Sequence, residues 1–159
     1  MARTKVLITV VTYPLPSRSY DELVCTSGIL ESGEWIRIYP VPLSFLKGQR
    51  KDGKLESFKY NWIELDLVKR SDDFRPESHS PQNYDFRDFK QITKIETTGN
   101  WRERKNQCLN NVYTNLTNLI ELSKSPSNVS LASFKPNKIL GFDIETENES
   151  YFIYFSRRE

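Results

Sequence analysis

Glu22-Leu23-Val24-Cys25-Thr26-Ser27-Gly28-Ile29-Leu30, then Glu31-Ser32-Gly33, then Glu34-Trp35-Ile36-Arg37-Ile38-Tyr39-Pro40-Val41, is the stretch on which the fold turns. Two strand-forming runs flank a tight turn in which Gly33 supplies a positive φ. Period two along the second run places Trp35, Arg37 and Tyr39 on one face and Ile36 and Ile38 on the other. With Ser32-Gly33 as a two-residue turn, Gly28 falls opposite Arg37 and Thr26 opposite Tyr39. Gly28 then leaves open space over the guanidinium.

Outward from this hairpin the strand signals continue. Lys5 to Thr12 is a β-branched run, broken by Tyr13-Pro14-Leu15-Pro16-Ser17. Pro40 and Pro42 end the second hairpin strand, and Leu43 to Leu46 can form one helical turn. Residues 47–59 read as a polar loop, residues 61–69 as a strand, residues 70–88 as a long polar loop, and residues 90–97 as a further strand. Asn100-Trp101-Arg102-Glu103 has the form of a capping box. Cys108, Leu109, Val112, Leu116, Leu119 and Ile120 follow at helical spacing, so one long helix is predicted. Lys138 to Glu145 and Tyr151 to Ser156 suggest a terminal hairpin. About six to seven strands and one long helix make an α+β domain, a strand-rich curved sheet or partial β-barrel packed by that helix. Small barrels of this kind often bind nucleic acids, an argument from architecture alone.

The chain has 159 residues, the size of one domain spanning 1–159. Lys+Arg 23 against Asp+Glu 21 leaves a net charge of +2, which excludes a polybasic character but not local basic patches. Aromatic residues at 13% argue against disorder. Cys25 and Cys108 read as free thiols, and with His79 they do not form the paired set of a structural zinc site. No metal and no cofactor is expected. No window reaches the ~18 apolar residues of a membrane span, so no membrane partner is expected and the cytoplasm is the default compartment.

The aromatic–Arg–aromatic face is the most specific constellation. Rings stack on any base and a guanidinium forks a phosphate. The competing reading packs Trp35 and Tyr39 under the helix and pairs Arg37 with a carboxylate such as Glu22 or Asp66. The ligand-binding set is Trp35, Arg37 and Tyr39, supported by Arg18, Tyr20 and Arg75. A second constellation, Asp72 to Pro81, holds the single histidine, and Glu77 with His79 is the weaker candidate acid–base pair. Gly141-Phe142-Asp143-Ile144-Glu145-Thr146 reads like the first metal-binding motif of proofreading exonucleases, but too little chain follows to supply the remaining carboxylates. Glycine-rich phosphate loops, serine-hydrolase elbows and zinc-protease histidine pairs do not occur. The expected function is a nucleic-acid or nucleotide-binding module without catalysis of its own. The alternatives are a small enzyme working through Glu77 and His79, or a subunit that binds a protein partner.

Overall fold

The structure is a computed structural model that describes residues 3–12, 15–16, 22–48, 50–51, 54–55, 58–139 and 141. The strands β1 (Thr4–Val11), β2 (Leu15–Pro16), β3 (Glu22–Leu30) and β4 (Trp35–Pro42) come first, followed by the short helix α1 (Leu43–Gly48). Strands β5 (Arg50–Lys51) and β6 (Lys54–Leu55) form a small separate antiparallel pair within the stretch read as a polar loop. The stretch read as one strand over 61–69 is two, β7 (Asn61–Leu65) and β8 (Leu67–Lys69). Then come β9 (Ser78–Pro81), β10 (Lys90–Lys94), α2 (Thr98–Cys108), β11 (Val112–Tyr113), α3 (Leu116–Ser123) and β12 (Ser133–Phe134).

The main sheet runs β10-β7-β1-β3-β4-β9-β8, with β2 continuing beside β3 where β1 ends. All neighbours are antiparallel except β4 and β9. The order itself shows that the sheet is curled. β7 and β8 stand five places apart in it, yet Asp66 alone separates them in sequence. A flat sheet would put those strands ~24 Å apart at the usual inter-strand spacing. Two residues of chain span at most ~7 Å. The sheet therefore rolls into a half-barrel whose margins meet at Asp66. There the Asp88 carboxylate accepts the Asp66 amide at 2.6 Å, and the Asp66 carbonyl accepts the Gln82 amide at 2.9 Å, so the corner's backbone groups are not left bare.

β1 and its neighbour β7 meet apolar residues on both faces, which explains the unbroken Val6-Leu7-Ile8 run. Val6 and Ile8 join Ile36, Ile38, Ile63 and Phe86 in the inner core, while Leu7 packs with Trp62 and Ile95 on the other side. Inside the roll, Phe45 stacks on Phe86 with centroids 4.1 Å apart and meets Phe89 edge-on at 4.9 Å.

The filling element is thus α1 with the 82–89 loop, not a long helix. The expected helix from Asn100 to Ile120 is replaced by two short ones. Gly99, Asn100 and Trp101 all take left-handed backbone conformations, so Asn100 is no N-cap. Neither α2 nor α3 buries a residue. Asn110 and Asn111 interrupt the pattern, Val112–Tyr113 pairs in parallel with Ser133–Phe134, and Asn115 starts α3 afresh by accepting the Asn118 amide at 3.1 Å. Asp143 and Glu145 of the exonuclease-like motif lie outside the described residues, as does the terminal hairpin apart from positions 138, 139 and 141. No helix among the described residues is long and apolar enough to cross a membrane.

Candidate functional site

β4 carries its side chains as period two requires: Ile36 and Ile38 are buried in the core, and Trp35, Arg37 and Tyr39 are half-buried on the outer face. The hairpin register differs by one residue from the expected one. Leu30 and Glu34 close a three-residue turn with Gly33 at φ 87°, so Ser27 opposes Arg37 and Gly28 opposes Ile36. The same register sets Thr26 against Ile38 in place of Tyr39, and one extra residue on β4 between Ile38 and Val41 then brings Val24 opposite Val41. The absent side chain of Gly28 makes room for β1, not for Arg37. A Cβ there would press into the Leu7 carbonyl oxygen and lie 2.6 Å from Val6 Cγ1.

Among the described residues the guanidinium of Arg37 is held without a carboxylate. Its Nη1 donates to Cys25 Sγ at 3.4 Å and its Nη2 to Ser130 Oγ at 3.3 Å, while Nε is buried with no acceptor. Neither Glu22 nor Asp66 pairs with it. The Ser130 hydroxyl passes the contact on, donating to Glu77 Oε2 at 3.0 Å. Glu77 Oε1 accepts the Ser130 amide at 2.9 Å and the Leu131 amide at 3.3 Å. One buried carboxylate thereby fastens residues 130–131 across the outer face beside β4. Nothing local in the sequence announced this contact, which joins positions 53 and 54 residues apart.

Glu77 and His79 are neighbours but not a dyad. His79 Nδ1 lies 2.9 Å from the Glu77 carbonyl oxygen, whereas the Glu77 carboxylate faces Ser130 and Leu131. Arg75 is committed to Asp73, with Nε and Nη2 at 2.8 and 2.6 Å from its two oxygens. Asp73 also accepts the Arg75 amide and the Ser78 hydroxyl. This guanidinium and these hydrogen bonds hold the Asp73 carboxyl well below the usual carboxylate range. Arg70 forks Asp72 in the same way and sits 5.5 Å over the Tyr39 ring. Of these three arginines, Arg37 is the one without an ionic partner among the described residues.

Trp35 opens onto a groove of about 530 Å³ walled by Glu34, Glu77, Asn111, Tyr113 and Leu131. Asn111 Nδ2 donates to the Gly33 carbonyl at 3.0 Å and ties that wall to the hairpin turn. Arg18 and Tyr20, read from the sequence as supporting residues, lie outside the described residues. Among the described residues no three His, Cys, Asp or Glu side chains converge as a metal site. Cys108, the last residue of α2, is half-buried against the Leu7, Trp62 and Ile95 cluster, and that burial raises its thiol pKa.

A family model described as "Domain of unknown function (DUF8758)" matches residues 2–110. No curated protein and no solved structure matches. The matched region contains Trp35, Arg37, Tyr39, Arg75, Glu77 and His79, and it stops before the segment that Glu77 fastens.

Proposed function

The chain belongs to the DUF8758 family, and we propose from its own geometry that it is a nucleic-acid or nucleotide-binding module whose ligand lies along the outer face of β4. The observation that carries this reading is Arg37, a half-buried guanidinium with no carboxylate partner among the described residues, beside a tryptophan that opens onto a groove. An arginine left without an anion in a partly desolvated place has unmet demand for one, and phosphate fits its fork. Trp35 beside it offers a stacking surface that suits any base. Competition from the Ser130 hydroxyl is weak, since a neutral acceptor at 3.3 Å is a poor substitute for a charged one. The commitment of the Glu77 carboxylate to backbone amides favours binding over acid–base catalysis at this place.

The test is fluorescence anisotropy of labelled single-stranded DNA, duplex DNA and RNA across a salt series. The expected result is binding that weakens steeply with salt, quenched tryptophan emission, and at least a tenfold loss in Arg37→Ala with the salt slope reduced by about one. The Arg37→Ala melting temperature is expected within a few degrees of the parent. Flat isotherms at low salt for all three ligands would overturn the reading. A protein-binding role is the second reading, favoured by the apolar side of α3, where Leu116 is 53% and Ile120 47% exposed.

A further inference from the structure

Tyr39, at the far end of the same face, opens onto a second groove. It measures about 400 Å³ and is walled by Lys69, Arg70, Asp72, Ser80 and Tyr84 as well as Tyr39. Arg70 lies over the Tyr39 ring and donates to the Tyr39 carbonyl at 3.4 Å, which fixes the ring's position. Tyr84 is 46% exposed, a large aromatic left partly in solvent at the rim. Lys69 Nζ is taken by the carbonyls of Arg75 and Pro76, and Arg70 by Asp72, so the cations here are already partnered. The second groove is therefore an aromatic platform, whereas the demand for an anion is concentrated at Arg37.

The spacing of the three places limits what can occupy them together. Trp35 and Tyr39 are four residues apart on one strand, ~13 Å at the usual rise, with Arg37 midway. Neighbouring bases in a duplex strand are only about 3.4 Å apart, so two bases seated at these rings cannot be stacked neighbours in a helix. A mononucleotide is too short to reach from one ring to the other. Bases splayed apart on separate aromatic rings, with backbone phosphate between them, are the mark of single-strand recognition.

We propose that β4 is a three-point track for a single-stranded nucleic acid, with one base in the groove at Trp35, a phosphate at Arg37, and a second base on the platform of Tyr39 and Tyr84. This deepens the reading of Arg37 given above and rests on it. The 129–131 segment forms one wall of the track, and the strand's phosphate displaces the Ser130 hydroxyl from Arg37.

The experiment titrates the full chain with thymidine monophosphate, with oligothymidylates of two, three, four and eight nucleotides, and with a blunt duplex of eight base pairs. Affinity is expected to rise at least tenfold between the monophosphate and the tetramer and then level off. The duplex is expected to bind at least tenfold more weakly than the octamer. Tyr84→Ala is expected to collapse the tetramer-to-monomer ratio and Tyr84→Phe to keep it. A monophosphate that binds as tightly as the octamer would overturn the track while leaving the Arg37 reading intact, and so would a Tyr84→Ala ratio equal to that of Tyr84→Phe. A duplex that binds as well as the single strand would do the same and needs no variant, so the test survives even if Tyr84→Ala fails to fold. Loss of binding to every probe would overturn both readings together.

Discussion

Asp73 is surrounded by four donors: the Arg75 amide, Arg75 Nε and Nη2, and the Ser78 hydroxyl. Its side chain is only 8% exposed. The carboxyl is held below its ordinary value, so it contributes stability in full above the unfolded value of about 3.9 and loses that contribution as the pH falls from there through the lower folded value. Asp73→Asn should therefore cost about 2 kcal/mol in urea melts between pH 5 and 8. The difference from the parent should shrink steadily below about pH 4. A difference that stays constant down to pH 2 would mean that the charge of Asp73 is not what holds the 70–78 turn. The sequence showed an Asp-x-Arg pair in a polar loop, and such pairs are common on solvated surfaces. What it did not show is that Ser78 enters a strand beside Arg37 and carries Asp73 into the interior with it.

At the scale of elements, the β3–β4 hairpin was legible as a hairpin and alternation separated its two faces, but which face is buried was not legible and the register was one residue out. The reason is physical: a glycine at φ 87° fits the end of a three-residue turn as well as a two-residue one, and composition does not separate them. The shift moves Gly28 from a place above Arg37 to one where β1 approaches most closely. Gly28→Ala should consequently destabilise the protein by about 1–3 kcal/mol, because the obstacle is the Leu7 backbone and cannot swing aside. Calorimetry would check it, and a melting temperature within a degree of the parent would show that β1 and β3 can separate freely. The long helix was the larger misreading. Apolar residues from Cys108 to Ile120 keep helical spacing, yet Asn110-Asn111 and the capping Asn115 favour turns, and the Val112–Tyr113 pairing with Ser133–Phe134 is invisible to any local pattern. Arg37, Trp35 and Tyr39 could be read from alternation alone. The wall built by residues 129–131 could not, because it depends on one carboxylate meeting backbone amides from a distant stretch.

At the scale of the molecule, the half-barrel character was legible from many short strands separated by turns, but its closure was not. Residues 61–69 look like one strand, and the roll depends on splitting it at Asp66 between opposite margins of the sheet. Those margins should behave as one unit. Asp88→Ala removes the acceptor of the Asp66 amide, and hydrogen exchange should then quicken at both the β7–β10 and the β8–β9 pairings. An increase confined to one margin would show that they open independently. The phenylalanines inside the roll have a further consequence. Phe45, Phe58, Phe86 and Phe89 leave a void of about 10 Å³, at the threshold for a single water. Barrels that carry small cargo keep a lumen for it, and among the described residues the inside of this roll is filled by phenylalanine rings instead. The proposed track accordingly lies on the convex exterior, where a ligand is draped over the surface and not swallowed, and where length in the ligand counts for more than fit in a cage.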